Sequence, residues 1–218
     1  MSPALGAIFW DNDGILVDTE RLYLEATREA CSAVGFVVSD EMFRQFLLVD
    51  NRGVWHLIAE RGVPEEEIER LRILRNDIYS ELLREREIAI PGVEETLQQL
   101  APIVRMAVVT SSRPEHFQLI HSRTGLLRYF EFWIANGDYI HSKPAPDPYL
   151  AALARAKLPP EKVLVIEDSE RGLRSAAAAG LRCCVIPSPL TQGSDFSGAE
   201  LILRSICDLN LQTVSRWF

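Results

Sequence analysis

Ala7-Ile8-Phe9-Trp10-Asp11-Asn12-Asp13-Gly14 holds four apolar residues that stop on two carboxylates and a glycine. A short apolar run of this kind predicts a strand buried on both faces, which puts the two acids where the backbone leaves a sheet. In an open α/β sheet the crevice beyond the carboxyl ends of the strands is where ligands bind. Asp11 and Asp13 are therefore the first candidates for chemistry.

Working outward, the same strand type recurs in the second part of the chain. Residues 104–109, 130–134, 163–166 and 182–186 read as strands, while 93–100, 114–124, 148–157 and 171–179 read as helices, with a last helical segment near 206–214. This βα alternation predicts parallel strands joined by right-handed crossovers.

Between the first strand and that repeat lies a block in which every element reads as helical. Asp18-Thr19-Glu20 suits a helix N-terminus, where side-chain oxygens bond free backbone N–H groups, and predicts a helix over about 19–34. Its stripe is Leu22, Ala26, Ala30 and Ala33, with Gly35 as the stop. Ser39-Asp40-Glu41 caps a short helix containing Met42, Phe43, Phe46 and Leu47, and another is predicted over 54–60. Pro64 opens a long helix with Ile68, Leu71, Leu74, Ile78 and Leu82 on one face, acids at its start and Arg84 and Arg86 at its end, as its dipole favours. Five such positions suit the core of a small helical subdomain better than a dimerising coiled coil. Trp10, Phe132 and Trp133 read as core around the sheet, Trp55 as core of the helical block, and Trp217-Phe218 as an apolar tail.

The expected fold class is therefore α/β: a Rossmann-like parallel sheet with helices on both faces, built from residues 1–16 and 88–218, and an all-helical cap, 17–87, inserted into it.

Composition narrows the function classes. At 218 residues the chain can bury a full core, and its 47% hydrophobic and 25% charged content is that of an ordinary globular protein. A formal net charge of -8 argues against a non-specific nucleic-acid binder. No apolar stretch approaches membrane-spanning length and Met1 to Gly6 has no basic n-region, so a cytoplasmic monomer with no membrane partner is expected. Cys31, Cys183, Cys184 and Cys207 show no metal-ligand or redox spacing and read as reduced thiols. His56, His116, His121 and His141 likewise lack metal spacing.

Four polar groups fall at or just after strand ends: Asp11 with Asp13, Thr110-Ser111-Ser112-Arg113, Lys143-Pro144, and Glu167-Asp168-Ser169. Singly, each reads as a turn, a helix cap or a solvated lysine. On parallel strands all four share one rim, where the carboxylates would repel one another unless a cation were present. Magnesium is the natural choice, since it takes hard oxygen ligands and works with phosphate. The chemistry that suits the set is phosphoryl transfer.

Through these motifs the chain resembles the haloacid dehalogenase-like (HAD) superfamily, in the helical-cap branch that includes β-phosphoglucomutase-like and phosphoglycolate phosphatase-like proteins. The aspartate-x-aspartate-glycine opening, the strand-ending threonine, the lysine-proline-x-proline-aspartate run over 143–147 and the glutamate-aspartate-serine run with Gly172 and Gly180 occur in family order. The resemblance implies that Asp11 is a nucleophile forming an aspartyl-phosphate and that Asp13 is the acid and then the base. It implies magnesium held by Asp11 and Asp168, by the Asp13 carbonyl, and by Glu167 directly or through water. Thr110 and Ser111 would bind phosphate oxygens, with Ser112 and Arg113 nearby, and Lys143 would neutralise Asp11 and the phosphoryl group.

Departures from relatives sort the branches. A dehalogenase lacks an acid at the place of Asp13 and a phosphonatase carries a small residue there, so Asp13 favours phosphate esters. Mutase relatives carry a histidine where this chain has Tyr23, and a lysine-glycine pair where it has Leu48 and Val49 before Arg52. The expectation is a magnesium-dependent phosphatase of a small phosphorylated metabolite such as a sugar phosphate, with Arg52 and Tyr23 holding the leaving portion. The alternatives are a β-phosphoglucomutase-like phosphotransferase and a non-catalytic HAD-like module that binds a ligand or partner.

Overall fold

A computed structural model describes residues 5–214 of the chain. Trp217 and Phe218 lie outside the described residues, as do Met1 to Ala4. The first strand, β1 (Ala7–Trp10), is buried at all four positions and leads to a helical block of α1 (Glu20–Ser32), α2 (Asp40–Phe43), α3 (Trp55–Glu60) and α4 (Glu65–Glu85). Then follow α5 (Val93–Leu100), β2 (Arg105–Val109), α6 (Pro114–Thr124), β3 (Phe132–Ile134) and α7 (Asp147–Ala156). The chain continues through β4 (Val163–Glu167), α8 (Glu170–Ala178), β5 (Arg182–Val185), β6 (Leu201–Ile202) and α9 (Leu211–Val214).

All pairings in the sheet are parallel, in the order β3-β2-β1-β4-β5-β6. Because β2 and β4 flank β1, the strand order reverses there, and a crevice opens at the carboxyl ends of these three strands. Strand residues alternate between two cores. Ile8, Trp10, Met106, Val108, Leu164 and Ile166 pack with Val93, Leu97 and Phe117 from α5 and α6; Phe9, Ala107, Val109 and Val165 pack with Tyr149, Ala152 and Leu173 from α7 and α8. Helices therefore cover both faces, and the continuous apolar runs of the strands have apolar partners on either side.

The helical block has its own core of Leu24, Cys31, Phe36, Phe43, Trp55, Ile58, Ile68 and Leu71. A second cluster, with Val17, Leu22, Ala26, Tyr79 and Leu83, reaches Ile120 of α6. The chain leaves and re-enters the sheet through two adjacent linkers: Val17 bridges both Asp13 and Ala89, and the Asp18 N–H donates to the Ile88 carbonyl at 2.9 Å.

Several expectations need correction. The long helix buries Ile68, Leu71, Arg75, Tyr79, Leu82 and Leu83, while Leu74 is exposed: the inward face includes an arginine, which a stripe of apolar letters misses. The helix after Ser39 stops at Phe43 and continues as a π-helical segment, Arg44–Val49, which rotates the following residues relative to an unbroken α-helix. Trp133 is 43% exposed because it sits on β3, an edge strand of three residues. The two-residue β6 is too short to leave a pattern in the sequence. The segment over 206–214 breaks into a 3-10 turn, Ile206–Asp208, closed by a capping box from Ser205, and then α9.

Candidate active site

Each strand that borders the reversal ends on a polar residue. Asp11 follows β1, Thr110 follows β2, and Glu167 closes β4 with Asp168 next to it. Lys143 arrives from the loop before α7 and is joined to Pro144 by a cis peptide bond. Its ammonium is 2% exposed and donates to Asp11 Oδ1 at 2.7 Å, Glu167 Oε1 at 2.6 Å and the Val109 carbonyl at 2.8 Å. The expected gathering of Asp11, Lys143, Thr110 and Asp168 at one rim is therefore what the fold produces.

Electrostatics in this dry centre are steep. Burial pushes the Asp11 carboxyl up to about 7, helped by repulsion from Glu167 and opposed by Lys143. Burial works against the Lys143 ammonium, but Asp11 and Glu167 outweigh it and raise its pKa. Asp168 is raised well above the carboxylate range by burial and by repulsion from Glu20, Asp11 and Glu167. One carboxylate oxygen from each of Asp11, Glu167 and Asp168 lies within 4.8 Å of the others, and Asp168 Oδ2 is buried without a hydrogen-bond partner. A buried carboxylate oxygen without a partner, set among acids that disfavour one another's ionisation, is what a hard divalent cation satisfies, and an all-oxygen set fits magnesium.

Two glycines leave room for these acids. A Cβ at Gly14, whose φ is +83°, would stand 2.4 Å from Asp168 Oδ2, and one at Gly172 would stand 1.9 Å from the Glu167 carboxyl carbon. Glu167 is held by three donors: Lys143 and Tyr149 at Oε1, the latter at 2.7 Å, and Ser169 at Oε2.

Asp13 stands on the other side, facing a cavity. Its carboxylate accepts from the hydroxyls of Thr19, Ser112 at 2.5 Å and Thr110 at 3.3 Å. Thr19 thus makes no side-chain bond to the start of α1; its hydroxyl serves Asp13, a correction to the capping role read for residues 18–20. Ser111 Oγ is buried without a partner.

The cavity, of about 160 Å³, lies between the rim and the helical block. Tyr23, Ser111, Ser112 and Arg113 line it, together with Glu20, Asn51, Asn76, Tyr79, His116 and Arg171, none of which the sequence assigned to the site. Arg52 is exposed and outside this lining; Arg171 of α8 reaches across instead, donating to Asn51 Oδ1 at 2.6 Å and the Leu47 carbonyl at 3.4 Å. Behind the wall, the buried Arg75 guanidinium stacks over Tyr23 at 4.5 Å and Trp55 at 5.4 Å. Tyr149, Thr19 and Arg171 gave no signal beyond a helix start, although Tyr149 follows the lysine-proline run closely enough to be sought there.

With this geometry established, the chain can be set beside known proteins. The profile of the haloacid dehalogenase-like hydrolases matches residues 8–186. The chain belongs to this family. It is 34% identical over 215 residues to Protein CbbY of Cereibacter sphaeroides, covering 93% of each chain. It is 31% identical over 180 residues to the phosphorylated carbohydrates phosphatase of Thermotoga maritima, covering 80% of this chain and 82% of that one. Among solved structures, CbbY from Rhodobacter sphaeroides in complex with phosphate superposes with a TM-score of 0.82 at 29% identity, covering 97% of this chain and 99% of that one. The β-phosphoglucomutase of Clostridium difficile, at 19% identity and a TM-score of 0.83, shares the fold. These relationships support an HAD-like phosphatase. No helix among the described residues is long and apolar enough to cross a membrane.

Proposed function

We propose that the protein is a magnesium-dependent phosphatase that hydrolyses a phosphorylated sugar through an aspartyl-phosphate on Asp11. The observation that carries this reading is the convergence of the Asp11, Glu167 and Asp168 carboxylates within 4.8 Å, next to a cavity that opens onto Asp13. In this reading Asp11, Asp168 and the Asp13 carbonyl hold the cation, and Glu167, engaged by Lys143, Tyr149 and Ser169, supports it through water. Bound magnesium supplies charge neutralisation that lets an anionic carboxylate approach an anionic phosphate.

The residues then divide the work. Lys143 fixes Asp11 Oδ1 and leaves the other carboxylate oxygen to attack phosphorus. As the phosphorus–ester oxygen bond breaks, Asp13 gives its proton to the departing alkoxide; it later takes one from the water that attacks the aspartyl-phosphate, releasing inorganic phosphate and restoring Asp11. The hydroxyls of Thr19, Thr110 and Ser112 suit this cycle because a hydroxyl can donate to an ionised Asp13 and accept from a protonated one. Thr110 and Ser111 bind the oxygens of the transferred phosphoryl group.

The helical block, residues 17–87, acts as a cap that encloses the leaving portion and keeps bulk water out. Tyr23, Asn76, Arg113 and Arg171 suit a polyol bearing a second acidic group, as does a CbbY variant solved with xylulose-1,5-bisphosphate, 29% identical to this chain. Arg52, outside the cavity lining, would join only if the cap moves. The enzyme is proposed to act as a monomer and in the cytoplasm, where cysteines such as Cys31, Cys183, Cys184 and Cys207, which lack metal-ligand or redox spacing, stay reduced. The net charge of -8 favours a small substrate over nucleic acid.

The test is phosphate release from an aryl phosphate with magnesium and with a chelator, followed by a panel of phosphorylated sugars. Metal-dependent release is expected. No metal-dependent turnover would favour a non-catalytic binding module, and a sugar-bisphosphate intermediate without net phosphate release would favour a mutase.

A further inference from the structure

Asn12 sits between the two acids and is fully buried. Its Oδ1 lies 2.8 Å from Nε2 of His121, a 5% exposed residue in the last turn of α6. The ring's other nitrogen, Nδ1, lies 3.0 Å from Thr124 Oγ1, and that hydroxyl already accepts the Leu126 N–H at 3.3 Å. Asn12 Oδ1 can only accept, so the proton of the neutral ring is on Nε2 and is given to Asn12, and the Thr124 hydroxyl, which also accepts from Leu126, donates to Nδ1. Burial, by lowering the His121 pKa to about 4, keeps that single tautomer at neutral pH.

The same helix carries a second tie. α6 begins directly after the loop whose Ser112 hydroxyl donates to Asp13 Oδ2, so α6 grips the acidic loop through Ser112 at one end and His121 at the other. The Asn12 carbonyl in turn accepts from Leu16 at 2.8 Å and Val17 at 3.2 Å, closing the turn that separates the acids. A shift of the Asn12 backbone would therefore carry Asp11 and Asp13 with it, and the bond to His121 anchors that residue to α6.

We propose that His121 is a positioning residue: its Nε2–H, fixed by Thr124, holds Asn12 and thereby sets the directions in which Asp11 and Asp13 point. Its effect falls on kcat, because the alignment of the reacting groups is sensitive to displacements on the order of 1 Å. The kinetic arm rests on the phosphatase reading, so the strut also has a test of its own.

His121→Phe keeps the ring and its contact with Phe117 but removes the donor. Expected are a kcat reduced about tenfold or more, KM within about twofold, and recovery to within about threefold in His121→Gln, which restores a donor. The double variant Asn12→Met/His121→Phe removes both polar partners and is expected to fold as stably as the parent yet stay slow. This variant decides the matter if His121→Phe unfolds. In the absence of substrate, amide hydrogen exchange at Leu16 and Val17 should quicken about tenfold in His121→Phe. Unchanged exchange overturns the strut even if the parent releases no phosphate, whereas an inactive parent with quickened exchange overturns only the phosphatase reading. A kcat within twofold of the parent in His121→Phe, a loss confined to KM, or full activity in the double variant also overturns the proposal.

Discussion

The two walls of the cleft are built differently. The sheet side is buried and densely hydrogen-bonded: Lys143, 2% exposed, is hydrogen-bonded to Asp11, Glu167 and a strand carbonyl, and Tyr149 and Ser169 complete the set around Glu167. The helical side is partly open and meets the sheet side through an apolar patch at Ile120 of α6 and through polar bonds such as those from Arg171 to Asn51 and Leu47. The contrast separates chemistry from recognition. Groups that must hold a charge in place belong on strand ends, where the backbone is fixed, while groups that read a leaving portion can ride on helices.

The comparison is tested hardest at the sheet side. Asp11→Asn removes the nucleophile while keeping its shape, and phosphate release should fall by about 10⁴-fold or more with the fold intact by circular dichroism. Retained turnover would mean that the dry centre is a structural ion cluster. Asp13→Asn should cost on the order of 10²- to 10⁴-fold on alkyl phosphates and much less on an activated aryl phosphate, whose leaving group needs no proton. Equal losses on the two esters would remove Asp13 from the acid role.

A third prediction concerns stability. His121 ionises near 6.5 when unfolded and at about 4 in the fold, because burial disfavours the imidazolium. The unfolded chain therefore binds more protons than the folded one between these values, and stability falls as pH drops. The contribution is complete above pH 6.5 and is lost progressively toward pH 4, by on the order of 3 kcal/mol at most. Urea unfolding of the parent and His121→Phe across this window should show the parent losing more stability on acidification. Parallel curves would show that His121 is not buried as a neutral ring.

The same contrast explains what could be read from the letters alone. Asp11, Thr110 and Glu167-Asp168 were legible because apolar runs of four residues end on them, and a strand end in a parallel sheet has only one rim to occupy. Thr19, Tyr149 and Arg171 were not, because a polar residue near a helix start reads equally well as a cap or as solvated surface, and Asn76, in the middle of α4, reads as solvated surface. Arg75 shows the limit most clearly. Its buried guanidinium is stacked on Tyr23 and Trp55, so the inward face of α4 runs through a residue that a search for apolar periodicity steps over, and Leu74 is taken in its place. Arg52 illustrates the converse: a motif position can be matched along the chain while another arginine, on another element, lines the cavity.

The smallest expected effect is where the two walls meet, at Arg171 of α8, which reaches from the sheet side to the helical block. Its guanidinium lines the cavity, donates to Asn51 Oδ1 at 2.6 Å, and has its Nε buried without a hydrogen-bond partner. In the phosphatase reading this guanidinium bonds an anionic oxygen on the leaving portion, and a charge-assisted bond of this kind contributes about 1.5 to 3 kcal/mol. Arg171→Met keeps the apolar stem and removes the charge. For a sugar bisphosphate KM should rise about tenfold with kcat changed far less, and for a simple aryl phosphate the rise in KM should be several times smaller. The ratio of the two effects is the informative quantity, since loss of a contact that only holds the two walls together would weaken both substrates alike. A tenfold fall in kcat on the aryl phosphate would instead place Arg171 with the dry centre and erase the division between the walls.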